Sequence, residues 1–182
     1  MFRRGRDNDP GPGDGPGQDD GPDRYKMREN LVSFGDDFWI ETQRGRRAYK
    51  VDGKALRVRD TLKFKDLQGN ELAEIQERML RVKDTMAIDR HGVGTITVKK
   101  ALITPLRDRY VADTPGAGEI EIQGNIVSHE YTMERGGRRV AEVSKKWLRV
   151  ADTYTVEISP GEDDVAILAI TVAIDQMSHD VG

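Results

Sequence analysis

The chain of 182 residues contains no cysteine and only three histidines, His91, His129 and His179. Without cysteine it cannot carry disulfides, thiolate zinc sites or a cysteine nucleophile. The three histidines do not have a metal-binding spacing, so we expect no metal and no cofactor. Aromatic residues make up only 6% of the chain and the net charge is −3, and both properties disfavour nucleic acid as a partner.

Long apolar runs are also missing. The most apolar stretch, residues 165–174, has ten residues, whereas a helix that crosses a bilayer needs about 20. The arginines near the N-terminus are not followed by the apolar run of a secretory signal. We therefore expect no transmembrane segment, and a cytoplasmic protein that associates with membranes, if at all, only peripherally.

Residues 1–24 differ in composition from the rest of the chain. They hold four of the seven prolines and six of the nineteen glycines, and no aliphatic residue follows Met1. Such a segment buries too little apolar surface to offset the entropy of ordering it, so we predict a disordered tail. One domain then covers residues 25–182, with 25 basic and 26 acidic residues.

The basic residues of this domain are concentrated in one stretch. Residues 44–65 contain nine of them and only two acids. Two interpretations stay open, because alternating cations are typical of the outer face of a strand and also suit an anion-binding patch. The candidate anion-binding residues are Arg44, Arg46, Arg47, Lys50, Lys54, Arg57 and Arg59.

A short unit recurs within the domain. The hexapeptide LRVRDT at residues 56–61 returns as LRVKDT at 80–85 and as LRVADT at 148–153. In every copy a glycine stands eleven residues before the leucine, at Gly45, Gly69 and Gly137. Leucine and valine two residues apart share one face of a strand, Asp-Thr suits a break, and the glycine suits a hairpin turn. The unit therefore predicts short antiparallel strands.

Apolar and polar residues alternate through the rest of the domain, with turn signals at short intervals. Examples are Leu62 and Phe64, Met86 and Ile88, Ile120 and Ile122, and Val127, Tyr131 and Met133. This pattern is typical of an all-β sandwich or barrel. It also predicts that His129 lies on the same strand face as Val127 and Tyr131.

Residues 165–174 are the exception. Six of the ten are β-branched, which favours a buried strand. The acids Asp163 and Asp164 before the run favour a helix N-terminus rather than a calcium site. Ala166, Ala169 and Ala173 also share one helical face. We predict a helix, and because it is apolar on all sides we expect a barrel to close around it.

Many short segments, in order, resemble the LURP-one-related family over roughly residues 25–180. They include Met27-Arg28-Glu29, residues 33–38, the Leu-Arg-x-x-Asp-Thr units, Gly124-Asn125, His129-Glu130-Tyr131 and residues 163–177. The resemblance implies the fold shared with the tubby C-terminal domain and phospholipid scramblases. That fold is mainly β: a closed antiparallel barrel around one buried, hydrophobic C-terminal helix.

The resemblance implies little about chemistry. The family has no established catalytic reaction, while tubby-like proteins and scramblases suggest work on membrane lipids. We find no tubby lipid-binding motif to assign to residues of this chain. Our leading hypothesis is a non-catalytic module that binds anionic phospholipid head groups or another protein.

His129 and Glu130 support the alternative, an enzyme with a pocket at the barrel mouth. The competing interpretation of His129 is a buried histidine that is hydrogen-bonded to a neighbour. Ser178-His179-Asp180 has the residue types of a catalytic triad, but adjacent residues do not face one another and cannot form one. We expect a frayed polar C-terminus there.

Overall fold

The computed structural model describes residues 23–28, 37–53, 61–77, 85–101, 108–145 and 152–179. Within these ranges twelve strands form a closed barrel around one helix, α1 (Asp164–His179). The strands are β1 (Asp23–Arg28), β2 (Phe38–Thr42), β3 (Arg47–Asp52), β4 (Thr61–Lys65), β5 (Glu71–Glu77), β6 (Thr85–Arg90), β7 (Gly94–Lys100), β8 (Asp108–Thr114), β9 (Gly118–Asn125), β10 (Glu130–Arg135), β11 (Arg138–Ser144) and β12 (Thr153–Ile158). The fold class predicted from the sequence is confirmed.

Each strand pairs antiparallel with its neighbours in sequence, and β1 closes the barrel by pairing with β12. Consecutive strands run in opposite directions, so the β2–β3, β4–β5, β6–β7, β8–β9 and β10–β11 turns lie at one end. We call this the hairpin end. Its turns are residues 43–46, 66–70, 91–93, 115–117 and 136–137, and residues 159–163 lead from β12 into α1 there. The β9–β10 turn, residues 126–129, lies at the opposite end.

Glycines close the turns of the hairpin end. Gly45, Gly69 and Gly137 have φ angles of 75°, 86° and 77°, a backbone region in which a Cβ atom would be strained. These are the three glycines that stand before the repeated hexapeptides. The prediction of hairpin turns at the repeat glycines is therefore confirmed.

The repeated hexapeptide marks the beginning of a strand. β4, β6 and β12 begin at Thr61, Thr85 and Thr153, the final threonine of each copy. The preceding Leu-Arg-Val residues of all three copies lie outside the described residues. In β4 the predicted alternation is present, because Leu62 and Phe64 are fully buried while Lys63 and Lys65 are partly exposed.

The interior of the barrel is filled by α1. Residues 166–177 of the helix are buried without interruption, as predicted for a segment that is apolar on all sides. The β-branched composition of this segment does not lead to a strand, because a closed barrel leaves no edge with which a central strand could pair. A helix satisfies its own backbone groups and can occupy that position.

The structure corrects two local predictions. Residues 126–129 form a turn and β10 begins only at Glu130, so Val127 is 71% exposed instead of facing the core. The helix also continues through His179, so the segment predicted to fray is helical up to that residue. The Ser178 hydroxyl donates a hydrogen bond to the Asp175 carbonyl oxygen at 2.9 Å.

The N-terminal tail lies almost entirely outside the described residues. Residues 1–22 are not among them, and the disorder predicted there stays a prediction. β1 begins at Asp23, two residues before the predicted start of the domain.

Candidate functional site

The β2–β3 hairpin presents arginines on a closed turn. Main-chain hydrogen bonds join Thr42 N to Arg46 O at 2.7 Å and Gly45 N to Thr42 O at 2.8 Å. The Thr42 hydroxyl oxygen also accepts from Arg46 N at 3.3 Å. Because its ends are tied in this way, the turn holds Arg44 and Arg46 outward, and both residues are exposed.

The outer wall of the same hairpin carries a tryptophan between two cations. The Arg47 guanidinium lies 4.4 Å from the centre of the Trp39 ring, and Lys50 Nζ lies 5.8 Å from it. Lys50 also forms an ion pair with Asp37 at 2.7 Å. The hairpin therefore combines an aromatic ring, one cation stacked on it and two further arginines at the tip.

The predicted anion-binding residues are only partly brought together among the described residues. Arg44, Arg46 and Arg47 share the exposed tip of the β2–β3 hairpin, and Lys50 lies further along β3, half-buried and paired. The remaining three, Lys54, Arg57 and Arg59, lie outside the described residues. Within the described part of the chain, no carboxylate forms an ion pair with Arg46 or Arg47.

His129 belongs to a buried polar cluster around α1. Its Nε2 atom lies 2.8 Å from Asp175 Oδ1, and its ring stacks on the Tyr154 ring with 4.3 Å between the centroids. The Tyr154 hydroxyl donates to the other oxygen of Asp175 at 2.9 Å. His129 is only 4% exposed. The interpretation of a buried histidine that is hydrogen-bonded to a neighbour is thus the one that the structure supports.

Glu130 does not join His129 in one site. Its carboxylate accepts from the Ser144 hydroxyl at 3.0 Å and from Lys145 N at 2.9 Å. His129 has a positive φ of 53° and directs its ring to α1 instead. Glu130 therefore stabilises the pairing of β10 with β11. His129 stabilises the contact between the β9–β10 turn and α1.

Two polar atoms near the C-terminal half of α1 are buried without a hydrogen-bond partner among the described residues. They are His129 Nδ1 and Gln176 Oε1. Burial raises the pKa of the Tyr131 hydroxyl well above its ordinary value of 10.0, the nearby Asp175 carboxylate raises it further, and the Thr171 hydroxyl opposes the shift. The buried phenol therefore stays protonated.

Ion pairs tie the segment before α1 to the hairpin end. Glu162 accepts from Arg135 at 2.5 Å and from Arg138 at 2.9 Å, and Asp163 pairs with Arg90 at 2.5 Å. Sequence reasoning did not find these pairs, because the partners are far apart in the chain. These ion pairs fix the N-terminus of α1 between the β6–β7 and β10–β11 turns.

Among the described residues, no group of three or more histidine, cysteine, aspartate or glutamate side chains is arranged to hold a metal ion. No helix in that part of the chain is long and apolar enough to cross a membrane.

Comparison with known proteins places the chain in a family. The sequence model of the LURP-one-related proteins matches residues 24–175, which is nearly the whole barrel and most of α1. The chain belongs to the LURP-one-related family. The resemblance noted in the sequence is thereby confirmed.

Two known proteins are similar to most of the chain. The uncharacterised protein YxjI of Bacillus subtilis strain 168 is 26% identical over 153 residues, which span 84% of this chain and 92% of that protein. An Arabidopsis thaliana protein of known crystal structure matches with a TM-score of 0.65 and 15% identity, over 87% of this chain and 92% of that one. The second similarity establishes the shared fold alone.

Proposed function

We propose that this LURP-one-related protein is a non-catalytic module that binds anionic phospholipid head groups through the β2–β3 hairpin. The observation that supports the proposal is the exposure of Arg44, Arg46 and Arg47 on one closed turn. A cation near an anionic membrane surface contributes about 1 kcal/mol. Three such residues on a turn that is already ordered give a binding energy without the loss of much conformational entropy.

The surroundings of these arginines suit a lipid head group better than a protein partner. Trp39 lies half-buried on the outer face of β2, beneath the Arg47 guanidinium. Tryptophan is enriched at the boundary between head groups and acyl chains, where its ring is partly apolar and its N–H group meets water. The proposed location of the protein is accordingly the cytoplasm, with peripheral attachment to a membrane.

The alternative function, an enzyme that uses His129 and Glu130, receives less support. The two side chains face different elements, with His129 bound to Asp175 and Glu130 bound to Ser144 and Lys145. A general base must reach the proton that it removes. His129 is 4% exposed and its Nε2 atom is engaged inside the barrel.

Co-sedimentation with vesicles tests the proposed function. Phosphatidylcholine vesicles with and without about 30% phosphatidylserine provide surfaces that differ in negative charge. We expect binding to the anionic vesicles at low salt and its loss at high salt, because exposed charges are screened. Equal binding to neutral and anionic vesicles at low salt would contradict the proposal.

Charge-matched variants locate the binding surface. Arg44→Gln with Arg46→Gln should weaken binding to anionic vesicles about 30-fold, since each cation contributes about 1 kcal/mol. The control is Arg28→Gln with Lys99→Gln, which removes the same charge from exposed residues near the opposite end of the barrel. If both double variants lose the same affinity, the β2–β3 hairpin is not the binding surface.

A further inference from the structure

Three large hydrophobic side chains in the described part of the chain are more than half exposed. Leu67 is 54% exposed, Val93 is 55% exposed and Val127 is 71% exposed. Leu67 lies in the β4–β5 turn and Val93 in the β6–β7 turn, both at the hairpin end, whereas Val127 lies at the opposite end. Scattered exposed hydrophobic residues are common on proteins, but the first two lie at the same end of the barrel as the arginines of the β2–β3 turn.

The three turns are direct neighbours around the barrel. β3 pairs with β4 and β5 pairs with β6, so the β2–β3, β4–β5 and β6–β7 turns follow one another along the rim. Each turn is two strands from the next, and at 4.7–4.9 Å per strand their centres are about 10 Å apart. We call these three turns, residues 43–46, 66–70 and 91–93, the β2–β7 rim.

The apolar tips are held outward by closed turns. In the β4–β5 turn, Asp66 accepts from Gln68 N at 2.9 Å and from Asn70 N at 2.8 Å, and this arrangement brackets Leu67. In the β6–β7 turn, Val93 N donates to Arg90 O at 3.1 Å. Because both turns are already ordered, contact with an apolar phase does not require further ordering of their backbone.

The charge of the β2–β7 rim is positive. Its three turns, each counted with one flanking residue on either side, contain five basic and two acidic residues. Arg90 pairs with Asp163 and Lys65 pairs with Asp52. Among the described residues, Arg46 and Arg47 have no carboxylate ion-pair partner, so they carry the excess charge of the rim. Asp66 opposes this excess, but its carboxylate accepts the hydrogen bonds that close its own turn.

We propose that the β2–β7 rim docks on an anionic lipid bilayer, with Leu67 and Val93 entering the acyl boundary while the β2–β3 arginines contact the head groups. This inference rests on the proposed head-group binding and adds the orientation of the barrel and an apolar contribution. The barrel stands with its hairpin end on the membrane, and Val127 points away from it. Buried apolar surface and anionic attraction together determine how strongly such a surface binds.

Single cysteines test this orientation without interference, because the natural chain contains none. Leu67→Cys, Val93→Cys and Val127→Cys are each labelled with an environment-sensitive fluorophore and mixed with phosphatidylcholine–phosphatidylserine vesicles. We expect a blue shift and brighter emission at positions 67 and 93, quenching there by lipids brominated in the acyl chain, and no change at 127. In unlabelled protein, Leu67→Ser should lower the partition coefficient between water and anionic vesicles about tenfold, because the leucine side chain no longer buries its apolar surface in the bilayer.

The outcomes separate the two proposals. If the protein sediments with anionic vesicles but the labels at 67 and 93 do not respond, the docking mode is wrong and head-group binding stands. If the label at 127 responds as strongly as the other two, the proposed orientation is wrong. If no variant and no unmodified chain binds anionic vesicles, both proposals are wrong.

Discussion

Asp175 and His129 meet inside the barrel, with Asp175 Oδ1 2.8 Å from His129 Nε2. A carboxylate oxygen accepts, so the hydrogen of this bond is on Nε2 of His129. The same carboxylate accepts from the Tyr154 hydroxyl at 2.9 Å. One side chain of α1 thus connects the helix to the β9–β10 turn and to β12, and this connection gives the polar cluster a structural role.

Replacement of Asp175 should destabilise the fold. In Asp175→Ala the His129 and Tyr154 donors lose their shared acceptor, and a buried unpaired donor costs about 1–3 kcal/mol. We expect a loss of about 3 kcal/mol in the free energy of unfolding, measured with urea. Asp113→Ala, at an exposed position, is the control and should change it by no more than about 0.5 kcal/mol. Equal effects of the two substitutions would show that the cluster does not stabilise the barrel.

Gly124 should not tolerate a side chain. Its φ is 146°, and an added Cβ would collide with the carbonyl oxygen of Glu130 and lie 2.6 Å from Tyr131 Cα. We expect Gly124→Ala to lower the free energy of unfolding by about 3 kcal/mol, through strain and overpacking together. Gly136→Ala has a positive φ of 57° but open space around its Cβ, so it should cost only about 1 kcal/mol. Similar losses at both positions would contradict the predicted collision.

Much of the fold follows from local chemistry that the sequence displays. A glycine before each repeated hexapeptide predicts a turn because the required backbone conformation depends on that residue alone. Alternation does not reveal where a turn interrupts a strand. Alternation alone therefore predicts that Val127 continues the strand of Tyr131, whereas residues 126–129 form a turn that ends at His129, which has a positive φ.

The candidate sites depend on contacts that local patterns do not contain. Arg44, Arg46 and Arg47 could be grouped from the sequence because they share one hairpin. The His129–Asp175 pair spans 46 residues, and only the closed barrel brings its members together. The placement of Leu67 and Val93 at one end follows from counting strands, since alternate turns of an antiparallel meander lie at the same end.

Asp164 should make stability depend on pH. Burial raises its pKa from 3.8, although the Tyr25 hydroxyl, 2.5 Å from Oδ2, lowers it in part. The folded chain then holds more protons than the unfolded chain as pH rises above 3.8, so the free energy of unfolding falls across that window. In urea titrations at several pH values, the stability of the natural chain relative to Asp164→Asn should decline as pH increases through the folded pKa. A difference that stays constant or increases with pH would contradict this prediction.

Asp163 should stabilise α1 chiefly as its N-cap. Its Oδ1 accepts from Ala166 N at 3.0 Å, and Oδ2 pairs with Arg90. Asp163→Ala removes both contacts and should lower the free energy of unfolding by about 1–2 kcal/mol. Asp163→Asn keeps a capping oxygen and loses only the ion pair, and because the Asp163 side chain is 50% exposed, this pair contributes about 1 kcal/mol or less. Arg90→Gln, which breaks the pair from the other side, should match Asp163→Asn in urea denaturation. If Asp163→Asn lowers the free energy of unfolding as much as Asp163→Ala does, the ion pair and not the N-cap stabilises the start of α1.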